Sequence, residues 1–420
     1  MFSTLQNAWK IPELRKKLMF TMLMLLIYRI GNVIPVPFID AATLATYFNN
    51  TLSNTILGLY DAMSGSAFSQ ASVLALGIQP YINASIIIQL LTIAIPALER
   101  MAKEEGEVGK KKIERITRYS TVGLGLLLGF AYYTMLNNAG IITSKGVMPA
   151  MVIILAFVAG SSVVMWMGEQ ITEFGIGNGI SMILFANIIS GLPGTFSRLL
   201  SFRWWAAAII SVVLLLLVVF IIFINDAERR IPVQYAKRVV GRKVYGGQST
   251  NLPIKVSMSG VMPVIFAQSI VSLPATIATF VGKTEGNWWY ENLWASNTWA
   301  YAIMYGLLIF FFSWFYSTIQ YDPVEMSNNL KKNGGFIPGF RPGKPTADFI
   351  KKVINKIVVF GAVYLAIVAL FPIVGGNLVS GVSNLAIGGT SIIIIVGVAL
   401  ETVKALEAQM LMRHYKGFLD

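Results

Sequence analysis

Apolar runs of roughly 20 residues recur about ten times along the chain, and the positions between them are where the charge collects. A run of that length is what a helix needs to cross a hydrocarbon layer about 30 Å thick. Spans are expected near residues 18–38, 72–98, 119–137, 148–168, 180–197, 204–225, 258–281, 299–321, 353–374 and 385–405. They take about half of the 420 residues, which predicts an all-α, ten-span membrane protein without room for a sizeable soluble domain. The first run follows Lys10, Arg15, Lys16 and Lys17 as a signal peptide would, but it is long and ends in VIPVPFID with no small-x-small cleavage site. It is expected to stay.

The runs differ in quality. Residues 211–224, SVVLLLLVVFIIFI, offer about 14 strongly apolar positions at roughly −0.4 kcal/mol each, so this span inserts with about 6 kcal/mol to spare. By contrast, 79–91 carries Gln79, Pro80, Asn83, Ser85 and Gln89, and 262–274 carries Gln268, Ser269, Ser272 and two prolines. Such segments fit against protein or water better than against lipid. The stretch 54–70, NTILGLYDAMSGSAFSQ, is apolar for one or two helical turns and then polar, too short to cross. It reads equally as a re-entrant helix in a cavity or as a surface loop.

Charge sets the orientation. Of 33 Lys and Arg, 28 fall in the N-terminal stretch, 99–118, 226–257, 322–356 and the C-terminal stretch. The opposite loops hold only Lys145, Arg198, Arg203 and Lys283, and Arg29 lies inside the first span. That asymmetry predicts cytoplasmic N- and C-termini. An even split, 1–200 with spans 1–5 and 201–420 with spans 6–10, puts an odd number of spans in each half and inverts one half against the other.

What is missing limits the mechanism. None of the 20 Asp and Glu falls at a span centre, and the single His, His414, is in the tail. Ion-coupled carriers place such groups at depth. The chain has no GxxxxGK[ST] loop, no HExxH spacing and no Cys, and His414 is badly placed for a nucleophilic triad. GIGNG at 175–179 joins two spans, so it reads as an interhelical turn and not a phosphate cradle. The expectation is no enzyme, no catalytic residue, no metal and no cofactor, with the driving force supplied from elsewhere. A ten-span secondary transporter for a small solute is the alternative.

Five blocks in order, GIQPYINASIIIQLL, GEVGKKKIERITRY, MGEQITEFGIGNGIS, QSTNLPIKVSMSGVMPVIFAQSI and NNLKKNGGFIPGFRPGKPT, resemble SecY, the channel subunit of the bacterial Sec translocon. The resemblance covers almost the whole chain and implies two five-span halves around an hourglass pore. Matched motif to motif, the ring closing its waist would be Ile78, Ile82, Leu184, Ile265 and Ile394. Taken singly, each of these aliphatics would more often face lipid. A hydrocarbon constriction offers an ion no ligand and tends to dewet, yet it can deform around a passing chain. The 54–70 segment then resembles the plug, with Leu57, Tyr60, Met63, Ser64 and Gly65.

The resemblance also implies a lateral gate between spans 2 and 7, with Asn83, Gln89, Gln268 and Leu273 as its lining, or otherwise as polar glue between packed helices. Loops 226–257 and 322–352 would meet the SecA motor or the RNA phosphates of a ribosome through Arg242, Lys243 and Arg341, although topology alone also makes such loops positive. SecE, SecG, signal sequences and nascent chains are the other implied partners, in the bacterial plasma membrane. Arg29, in YRIGN, matches a family feature packed at a helix interface with no transport role. Three positions depart from the usual pattern: Phe174 for Arg, Asn83 for Ser or Thr, and Phe340 for Ile.

Overall fold

The computed structural model describes residues 2–49, 56–103, 105–200, 203–235, 238–240, 243–245, 249–257, 260–281, 288–295, 298–378 and 389–416. The first half of the chain contributes α1 (Phe2–Lys10), α2 (Pro12–Gly31), α3 (Ala41–Tyr47), α4 (Ile56–Ser64), α5 (Gln79–Ala94) and α6 (Pro96–Lys103). It continues with α7 (Gly106–Asn138), α8 (Val147–Phe174) and α9 (Gly179–Leu200). Then come α10 (Trp204–Asp226), strands β1 (Glu228–Tyr235), β2 (Arg238–Val240), β3 (Lys243–Tyr245) and β4 (Ser249–Lys255), and α11 (Met262–Val281). Last are α12 (Trp299–Gln320), α13 (Pro323–Lys332), β5 (Gly335–Phe336), α14 (Lys344–Leu378) and α15 (Gly389–Lys416).

Among the described residues, seven helices are long and apolar enough to cross a membrane, and α5 with α6 makes an eighth if the bent pair is one span. The other two expected spans fall short for visible reasons. α2 carries Glu13, Arg15, Lys16, Lys17 and Arg29, and the apolar part of α11 is the shorter Met262–Ala278.

Local chemistry sets the helix ends. Asp40 caps α3, its Oδ1 accepting from the Ala42 and Thr43 amides at 3.0 and 3.3 Å and its Oδ2 from the Thr43 hydroxyl at 2.6 Å. Those bonds, the Thr43 hydroxyl foremost, hold the Asp40 carboxyl below its usual range. Pro96 forces Ile95 into extended backbone (ψ 112°), and the chain turns by 105° between α5 and α6. Two expected spans are therefore corrected. The first ends at Gly31, not 38, because the chain past Asn32 pairs with a later segment through the Pro35–Ser72 bridge. The second starts at Gln79, not 72, since residues 65–78 form turns.

The helices pack as two groups. α5, α7, α8, α9 and α2 adjoin one another, as do α10, α11, α12, α14 and α15. On one side the groups meet where α9 packs on α15 and α10; on the other α11 touches α5 and α7. One apolar core runs through both groups.

The two long polar connections are not open loops. β1 pairs antiparallel with β4 from Glu228–Lys255 to Gln234–Ser249, and its end pairs with β5 through Gln234–Phe336 and Tyr235–Gly335. Ile231, Val233 and Ile254 then bury against Ile337, Ile350, Ile354 and Val358 in a second, separate core. An otherwise all-α protein thus carries a small β-containing unit at one end, where connecting loop was expected.

Candidate functional site

All five positions of the expected ring are buried in the main core: Ile78 is 2% exposed, Ile82 5%, Leu184 1%, Ile265 5% and Ile394 1%. Aliphatics of α10 such as Leu215 and Leu216 are instead more than 60% exposed, as lipid-facing side chains are. The ring positions come from α5 or its N-cap, α9, α11 and α15, so each helix group contributes.

Among the described residues, large clefts lie on both sides of this level and only small spaces adjoin the ring positions. Toward the β-containing end there is a cleft of about 720 Å³, lined by Gln89, Lys255, Met262, Tyr316, Gln320 and Glu401. At the opposite end a cleft of about 440 Å³ is lined by Asp61, Gly65, Asn187, Thr195 and Ser391. Beside Ile82, Leu184 and Ile265 the free volume is about 30 Å³, and between Tyr60, Met63, Gln268 and Ile265 it is about 10 Å³. Spaces of that size hold a water or two at most. The arrangement is two vestibules separated by a narrow neck in which the five aliphatics are buried.

α4 stops the second vestibule. Of the expected plug, residues 54 and 55 lie outside the described residues, and the rest is helix to Ser64 followed by turns. Leu57, Met63 and Ser64 are buried; Tyr60 and Gly65 are half-buried. Met63 reaches the neck, its sulfur accepting from Gln79 Nε2 at 3.2 Å and lying 3.9 Å from Gln268 Nε2. Beyond α4, the Tyr132 hydroxyl donates to Phe68 O at 2.5 Å and the two rings stack at 4.3 Å, docking the turn on α7.

The four lateral-gate candidates do not share one environment. Gln89 is exposed and accepts from the Tyr316 hydroxyl at 2.7 Å, which joins α5 to α12 across the line where the helix groups meet. Asn83 is half-buried and hydrogen-bonds Tyr60, so it faces α4. Gln268 is buried against Met63, its Oε1 without a partner among the described residues. Leu273 is 41% exposed. Gln89 therefore lies at the seam, while Asn83 and Gln268 turn toward the neck.

Arg242 lies outside the described residues, and Lys243 is in β3 with its side chain undescribed. Arg341 is exposed on the tight connection between β5 and α14, where its carbonyl accepts from the Thr346 hydroxyl at 2.8 Å. Phe340, one of the three departures, stacks on Phe349 at 4.2 Å and pins that connection. Phe174 meets Phe20 edge to face at 6.1 Å, an apolar contact for an apolar replacement.

Arg29, expected at a helix interface, has Nη1 donating to Gly65 O just past the end of α4, 3.3 Å away. Tyr28, Asn32 and Asn187 join it there and were not anticipated. Asn187 was the one with a signal, an amide in the middle of the apolar run LFANIIS.

Comparison with known proteins gives a consistent result. The SecY family model matches residues 72–403. Over its full length the chain is 42% identical to the protein translocase subunit SecY of Streptomyces scabiei, covering 100% of both. Its fold is similar to that in the structure of a protein conducting channel, with TM-score 0.65 and 19% identity over 94% of this chain and 92% of the other. It is similar as well to Sec61 in the canine ribosome-channel complex from the endoplasmic reticulum, with TM-score 0.62 and 17% identity over 94% and 92%.

Proposed function

The chain belongs to the SecY family, and on that premise we propose that it is the central pore subunit of a protein-conducting channel, which passes unfolded polypeptides across a membrane and releases apolar segments sideways into lipid. The observation that carries this reading is the narrow neck, with its five buried aliphatics, between two vestibules. A carrier for a small solute would instead present a polar pocket at mid-depth, and beside Ile82, Leu184 and Ile265 the free volume is only about 30 Å³.

The mechanism follows from the residue types. Ile78, Ile82, Leu184, Ile265 and Ile394 offer no hydrogen bond, so the neck resists ions at rest and favours no polypeptide sequence in transit. α4 is the plug, and its departure clears the second vestibule. The seam between α5 and α11–α12 is the lateral gate, through which a segment leaves if its transfer to lipid is favourable. The channel supplies no force itself and is not an enzyme.

Partners and placement extend the same reading. The halves 1–200 and 201–420 hinge on the α9–α15 side and part on the α5–α11 side. The β-containing end is cytoplasmic with both termini, in the bacterial plasma membrane, and presents Arg242, Lys243 and Arg341 to SecA or a ribosome. SecE and SecG complete the complex. The test is reconstitution with SecE, SecG and SecA and a preprotein in vesicles. ATP-dependent import is expected, and its absence with active partners would sink the proposal.

A further inference from the structure

We propose that Tyr28, Arg29, Asn32 and Asn187 are gating residues that clasp the C-terminal end of α4 and set how tightly the channel is shut at rest. The proposal rests on reading α4 as the plug.

It starts from hydrogen-bond accounting at a helix end. α4 terminates with Ser66 N donating to Asp61 O at 2.9 Å and Gly65 N to Ala62 O at 3.3 Å, with Gly65 left-handed at φ +69°. That pair of bonds is the Schellman stop, and it leaves the following carbonyls without a helical partner. Here these are Met63, Ser64 and Gly65, and side chains take all three. Asn187 Nδ2 donates to Met63 O at 2.7 Å. Asn32 Nδ2 and the Tyr28 hydroxyl donate to Ser64 O at 3.1 and 3.4 Å. Arg29 Nη1 donates to Gly65 O at 3.3 Å. Asn187 Nδ2 also donates to the Tyr28 hydroxyl at 2.9 Å, so the clasp is one connected network.

Its setting argues against a chance contact. Tyr28 and Asn187 are fully buried and Asn32 nearly so, where an unpaired carbonyl is costly. Arg29 is a charge inside a span, and a cation at a helix C-terminus complements the negative end of that helix. Tyr28 and Arg29 lie on α2, Asn32 is its C-cap and Asn187 lies on α9, all within the first helix group. From the other group, α4 meets α11, where Gln268 Nε2 lies 3.9 Å from the Met63 sulfur. The C-terminal end of the plug is thus fastened to the first half, and these bonds must break before it departs.

Gly65 provides a second, independent handle. A Cβ there would lie 2.5 Å from Arg29 Nη1 and 2.8 Å from Asn187 Oδ1, on backbone that already disfavours a side chain. Gly65→Ala should pry the clasp apart while leaving each of its side chains present.

The experiment is resting ion conductance of the full complex in planar bilayers, normalised to channel content. Asn187→Leu, Asn32→Leu, Arg29→Gln and Gly65→Ala should each raise it on the order of tenfold, the effect of leaving a carbonyl at the end of α4 without its donor on a closed–open equilibrium. Arg29→Lys should restore much of the seal, since a charge at the helix end survives. In a channel lacking residues 56–64, conductance should already be high and the α2 and α9 variants should add nothing. Wild-type conductance in all four variants overturns the clasp, as does an increase that adds to the deletion. If the deletion itself leaves conductance at the wild-type level, the plug reading has failed as well, and the two failures are told apart. Should Asn187→Leu not accumulate, Gly65→Ala gives the same readout.

Discussion

The Tyr316 hydroxyl donates to Gln89 Oε1 at 2.7 Å, so α12 is tied to α5 at the rim of the larger vestibule. The bond crosses the line along which the two helix groups must separate for anything to leave sideways. Gln89 is exposed and water can replace its partner, so the net contribution is about 1 kcal/mol. Tyr316→Phe keeps the ring and removes only the donor. It should lower the hydrophobicity a nascent segment needs for lateral release, with insertion of a marginal segment rising about fivefold. A glycosylation-type insertion assay over a series of Leu-to-Ala segments measures the threshold, and an unmoved threshold means this bond does not hold the seam.

The same pair gives a lock. The chain has no Cys, so Gln89→Cys with Tyr316→Cys supplies the only two thiols, and a short bifunctional maleimide should bridge them across the seam. Bridged channels should lose lateral insertion, and reversal with a cleavable reagent should restore it. The control is either single variant with the same reagent. If bridged channels insert spanning segments at the normal rate, lateral exit lies elsewhere.

How much of this was readable in the sequence depends on the range of the interaction. A span has to satisfy its own backbone within one segment, so spanning helices announce themselves locally. Even there, the turn beginning at Asn32 and the turns over 65–78 moved two boundaries, since hydropathy counts residues and not backbone angles. The sheet was hidden by Pro232 and Pro253, residues that argue against strands. Pro232 is tolerated because β5 reaches only the end of β1, which leaves that edge of β1 free at Pro232. The ring positions came from resemblance to a family, because an isoleucine facing a pore and one facing lipid look alike in a sequence. The clasp was the least legible part. Its donors and acceptors are far apart in the chain, 124 residues for Asn187 and Met63, and no local pattern encodes that pairing.

The neck makes its own prediction. Ile82 is 5% exposed and borders the 30 Å³ space with Leu184 and Ile265, so Ile82→Asn puts an amide in place of one of its aliphatic walls. Hydration of the constriction should follow, with resting conductance rising severalfold. Ile82→Leu, which conserves volume and apolarity, should stay near the wild-type value. Equal conductance for the Asn and Leu variants would show that Ile82 is not part of the seal.

The second core separates docking from conduction. Ile350 is fully buried where α14 meets β1, β4 and the connection after β5, and Ile350→Ala should cost about 3 kcal/mol of local stability. Arg341 sits on the surface of the same unit, where its charge contributes little to the fold. If the unit is the motor's platform, Arg341→Glu should weaken SecA binding at least tenfold while native-state proteolysis of the unit stays unchanged. Ile350→Ala should do both, weakening binding and exposing the β1–β4 hairpin to protease. In neither variant should resting conductance change, because the neck belongs to the other core. Binding measured by titrating SecA onto vesicles, beside a limited digest, distinguishes the cases. Full SecA affinity in Arg341→Glu would remove that residue from the interface.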